Sequence, residues 1–217
     1  MNKEWSNLNK LMQDRLKKSD SFDDGIETLI ELRNRLMHEI DQFHRTLKSE
    51  NYYQMPYMNV KGYHSKSIAY SLWHIFRIED IVLNSLMMNE TQIIFKYEYQ
   101  KRINSPIITT GNELKGKEIE EFSKQLDIDE LYHYIQDVKE NTERVLHDLK
   151  YTDLKKDFTT LDKQRLEELK VVSEDIDAHW LIDYWCSKDI RGLIQMPFSR
   201  HWIMHIEACL RIESKLR

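Results

Sequence analysis

Residues 127–149 read DIDELYHYIQDVKENTERVLHDL. Ile128, Leu131, Ile135, Val138, Thr142, Val145 and Leu149 follow one another at alternating steps of three and four, which stacks them on one helix face. Asp127 is an acceptor and Glu130 stands three positions on, the order of a capping box. A helix with a single apolar stripe must bury it against neighbours, and this alternation suits antiparallel bundle packing.

The same period extends outward. Ile26, Leu29, Leu32, Leu36, Ile40, Phe43 and Leu47 mark a stripe over 22–48, and Ile68, Leu72, Ile75, Phe76, Val82 and Leu86 mark another over 67–89. Five glycines and three prolines in 217 residues are too few for a turn-rich β fold, so the expected class is all-α. Short helices are expected over 159–172 and 177–187, and a last helix from near Pro197, with Ser199 as an alternative cap. Residues 51–66, NYYQMPYMNVKGYHSK, form a tyrosine-rich loop by Pro56 and Gly62. TQIIFKYEYQ (91–100) is β-prone by composition and equally able to extend the preceding helix or cross over irregularly, and 103–116 is a loop. With no internal repeat or linker composition, a single domain over 1–217 is expected, with 1–18 an amphipathic accessory helix and 22–217 the bundle.

Composition excludes several classes. The chain is 41% hydrophobic with a mean hydropathy of -0.67, and no run approaches the roughly 18 to 20 apolar residues of a spanning helix. MNKEWSNLNKLMQDRLKK is charged throughout and lacks the apolar core of a secretory signal, so a cytoplasmic, membrane-free protein is expected. A net charge of -5 and a pI near 6.0, with acids and bases interleaved, argue against a nucleic-acid partner. Cys186 and Cys209 are too isolated for a disulfide framework and are expected as free thiols.

The chemistry gathers on three histidines. In PFSRHWIMHIEACLRIESKLR (197–217), His201 and His205 stand four residues apart, on one helix face. In SIAYSLWHIFRIEDIVLN (67–84), His74 interrupts an apolar face, where a buried imidazole needs a partner for each nitrogen. A core histidine bonded to a tyrosine or a carbonyl is the plain alternative. A bundle can also set His74 opposite His201 and His205, and three neutral imidazoles on facing helices make a site for Zn²⁺, Ni²⁺ or Fe²⁺ with coordination positions left open.

In this order the parts resemble the DinB-like (DinB/YfiT) superfamily of metal-binding four-helix bundles. The shared features are the inward histidine of SLWHIFRIED, the long capped third helix and the H-x-x-x-H of RHWIMH. The resemblance covers roughly 22–217. It implies an antiparallel four-helix bundle with an extra N-terminal helix and short crossover helices, and it places the metal ligands on His74, His201 and His205. Members typically continue the second histidine with Gly-Gln, where this chain has Ile206 and Glu207. The implied function is transfer of a low-molecular-weight thiol, such as bacillithiol, mycothiol or glutathione, to an electrophile. Its partners would be small molecules, and a homodimer is compatible with it. The alternative is a non-catalytic metal- or ligand-binding bundle.

Further residues carry expectations. His64 lies in the tyrosine-rich loop, as a solvated residue or as an acid or base over the pocket. Tyr52, Tyr53, Tyr57 and Tyr63 are expected to wall the site. His179, with Asp177 or Asp183, is a candidate to orient a ligand imidazole. Cys209, one turn past His205, is a small buried hydrophobe or a fourth ligand. Arg200 and Arg211 are solvated or bind an anionic group. Trp73, Trp180, Trp185 and Trp202 read as core.

Overall fold

A computed structural model describes residues 2–217 and contains helices but no strand among them. The helices are α1 (Lys3–Arg15), α2 (Phe22–Thr46), α3 (Ser49–Tyr53), α4 (Ile68–Asp80), α5 (Ile93–Lys96), α6 (Tyr99–Arg102), α7 (Lys117–Gln125), α8 (Ile128–Asp148), α9 (Thr160–Glu168), α10 (Ile176–Cys186), α11 (Ile190–Gln195) and α12 (His201–Leu216). The expected accessory helix is α1, with Met1 outside the described residues. The β-prone stretch near residue 95 becomes the short helices α5 and α6, and α11 was not marked by any period.

The opening stretch folds as expected with one difference. Asp127 accepts from the Glu130 N–H at 3.0 Å, but the Glu130 carboxylate turns to Arg102 at 2.7 Å. The Asp127 N–H donates instead to the Ile103 carbonyl at 2.8 Å. Half of the capping box forms, and a tertiary contact replaces the other half.

Two π turns shape the core. One, Ile81–Met88, continues α4, and the other, Met196–Arg200, joins α11 to α12. Pro197 stands in the first turn of the second, where its missing N–H costs nothing. Ser199 is no cap, because its hydroxyl donates back to the Ile194 carbonyl at 2.9 Å.

Helices α4 and α2 each pack against both α8 and α12. One apolar cluster joins Leu36, Ile40, Trp73, Phe76, Ile135 and Trp202. A second joins Leu29, Ile78, Val82, Val145, Trp185 and Phe198. Arg33 is fully buried in α2 and makes two bonds to Glu79 of α4, at 2.7 and 3.0 Å. Glu79 also accepts from the Trp202 indole N–H at 2.8 Å, and Arg33 donates to the Phe198 carbonyl at 3.1 Å. This network ties the rotation of α12 to α2 and α4, and so fixes which way His201 and His205 face.

Candidate metal centre

His74 from α4 and His201 and His205 from α12 are 6%, 7% and 3% exposed. Each offers one ring nitrogen, and these three atoms lie within 4.8 Å of one another. The rings are 4.6 to 5.0 Å apart between centroids. Burial pushes the His74 pKa down to about 4, with the Thr110 bond opposing and Lys66 adding to the fall. It holds His201 and His205 well below the ordinary imidazole value, and the neighbouring histidines reinforce this. All three are therefore neutral at pH 7, the form that ligates metals.

The tautomer of one ring is set by the loop between α6 and α7. His74 Nδ1 lies 2.8 Å from the Thr110 carbonyl; a carbonyl only accepts, so Nδ1 carries the proton and Nε2 keeps a free lone pair. Side chains of α4 hold this loop by four consecutive carbonyls. Arg77 donates to Ile108 at 2.7 Å, Trp73 to Thr109 at 3.1 Å, His74 to Thr110, and Tyr70 to Gly111 at 3.0 Å. Gly111 has φ +79°, and a Cβ there would sit 3.0 Å from the Tyr70 ring, so only glycine fits without strain.

The other two rings show a deficit. The Nδ1 atoms of His201 and His205 are buried and have no hydrogen-bond partner. Buried polar atoms are nearly always satisfied, and an unsatisfied one costs about 1–3 kcal/mol. Three neutral imidazoles with converging nitrogens, two of them carrying an orphaned ring nitrogen, fit a divalent transition metal in donor type and number.

Two cavities flank the rings. One, of about 260 Å³, is lined by Trp180, Leu181, Tyr184, Trp185, Met196 and Pro197 among others. The other, of about 290 Å³, includes Gly62, Lys66 and Tyr70. Tyr63, His74, Asn112 and His205 border both. The Tyr63 ring stands edge-on to His205, 5.0 Å between centroids.

The remaining expectations are corrected here. Of the four tyrosines, only Tyr63 reaches the site; Tyr52 and Tyr53 line a separate cavity with His44 and Lys124, and Tyr57 packs edge-on against His64 at 5.1 Å. His64 thus has an aromatic partner in its loop, away from the triad. His179 borders a distant cavity with Glu167 and Lys170, Asp177 pairs with Lys115 and Asp183 with Lys163, so none of them orients a ligand. Cys209 is buried in the first apolar cluster, its thiol pushed up to about 12 by burial, and it is not among the converging ligands. Cys186 is a free thiol as well. Arg200 and Arg211 are exposed. Trp73 and Trp202 are core, whereas Trp180, 50% exposed, and Trp185 wall the apolar cavity.

Thr110, Asn112 and Lys66 were not singled out by the sequence. Thr110 acts through its carbonyl, which no side-chain pattern reveals. Lys66 lies in a stretch where a single lysine carries no signal. No protein-family model matches this chain, and no curated protein matches it.

Proposed function

We propose that the chain is a DinB-like antiparallel four-helix bundle on α2, α4, α8 and α12. In this reading His74, His201 and His205 hold one divalent transition metal, and the site serves conjugation of a low-molecular-weight thiol to an electrophile. The observation that supports it best is the convergence of three buried, neutral imidazoles. When bound, such an ion supplies positive charge that favours the thiolate of a ligand whose free pKa is about 8.5. The chain's own residues bind and position. Thr110 fixes the His74 tautomer, the Arg33–Glu79–Trp202 network fixes the facing of α12, and Tyr63 with Trp185 shields the rings from water.

Elemental analysis of protein purified without an affinity tag tests the metal. About one divalent ion per chain is expected. It should be lost in His74→Ala and in His201→Ala/His205→Ala and retained in His64→Ala and His179→Ala. Stoichiometric metal in the double variant would remove the triad. Activity is tested by following thiol loss with bacillithiol, glutathione or cysteine and a generic electrophile, beside His74→Ala. Equal rates would leave the second reading, a metal-binding bundle that catalyses nothing. The protonated state of Cys209 beside the site favours that reading, since it offers no nucleophile of its own at neutral pH.

A further inference from the structure

Lys66 is the one lysine or arginine on the walls of the two cavities that meet at the triad. It is half-buried, and among the described residues it has no carboxylate within ion-pair distance. Its ammonium rests over the Tyr70 ring, 4.9 Å from the centroid, a contact that satisfies none of its three N–H donors. Its charge is felt at His74 and His205, whose protonation it disfavours. A partly desolvated cation without a counter-ion is costly, and a bound anion would relieve that cost. The opposite cavity has the reverse character, its walls being Trp180, Leu181, Trp185, Met196 and Pro197.

We infer that the two cavities are unlike half-sites parted by Tyr63: a carboxylate-bearing thiol enters beside Lys66, and an apolar or aromatic partner lies against Trp180 and Trp185. This rests on the thiol-transfer reading above. It adds that the thiol must carry an anionic group within reach of Lys66 while its sulfur faces the triad. Lys66 is then a specificity residue, not a ligand and not a proton donor. The exposed Arg200 and Arg211, which the sequence offered for an anion, have no part in it.

The test uses full-length protein loaded with Co²⁺, whose near-ultraviolet charge-transfer absorption reports thiolate binding. The probes are 3-mercaptopropionate and its neutral isostere 3-mercaptopropionamide, titrated into wild type, Lys66→Gln, Lys66→Arg and, as a control, Arg200→Gln. The ratio of the two dissociation constants should shift by about tenfold against the carboxylate in Lys66→Gln, the size of one charge-assisted hydrogen bond. Lys66→Arg should keep most of the preference, Arg200→Gln all of it, and amide binding should be the same in every protein. An unchanged ratio in Lys66→Gln would overturn the half-site while leaving the thiol reading in place. Absence of a thiolate band with either probe in Co²⁺-loaded wild type would overturn the thiol reading and the half-site together.

Discussion

At the scale of single residues, the three histidines are defined by what burial does to their protons. An unfolded imidazole titrates near 6.5, while the folded His74 resists protonation until about 4, and His201 and His205 shift in the same direction. Between those limits the unfolded chain binds more protons than the folded one, so stability falls as pH falls through this window. For His74 alone the shift is on the order of 3 kcal/mol. Metal-free protein should therefore lose urea resistance steeply from pH 6.5 towards 4, and His205→Gln should flatten the slope. Identical slopes would mean that these rings are not buried as neutral groups. The ligand residues were legible because their side chains interrupt an apolar face at helical spacing. The atom that orients His74 was not, because any residue at position 110 brings a carbonyl.

Among the elements, α12 matters most, and its facing is set by the buried pair of Arg33 and Glu79 with the Trp202 indole. Removing one member of a buried pair leaves the other charge uncompensated and costs about 3–5 kcal/mol, while replacing both by apolar groups is far milder. Arg33→Met should lower the urea midpoint strongly, and Arg33→Met/Glu79→Leu should recover much of the loss, as a double-mutant cycle would read. If the two losses simply add, the network does not act as a unit. Helices α2, α4 and α8 were legible from period alone, since each buries one stripe. The short helices α5, α6 and α11 were not, because four to six residues carry too little periodicity to show. Neither were the π turns, which depend on packing on both sides and not on any residue type within them.

For the molecule as a whole, no helix is long and apolar enough to cross a membrane, and two large apolar clusters supply the stability. A chain with cores of this size does not need a metal to fold, unlike the much smaller zinc-dependent domains. Chelation should lower the melting temperature, because a ligand that binds only the folded state stabilises it by mass action. It should leave the helical circular dichroism in place, and collapse to a coil spectrum would show a structural ion instead. The π turn at Met196–Arg200 carries a further consequence, for inheritance. It holds one residue more than an α turn would, so losing a single codon there and regularising the helix would rotate everything after it by about 100°. Trp202 would leave Glu79, and His201 and His205 would leave His74, although every ligand codon was still present. Among descendants of such a chain, one small in-frame deletion outside the motif would silence the site, and counting conserved histidines would not detect it.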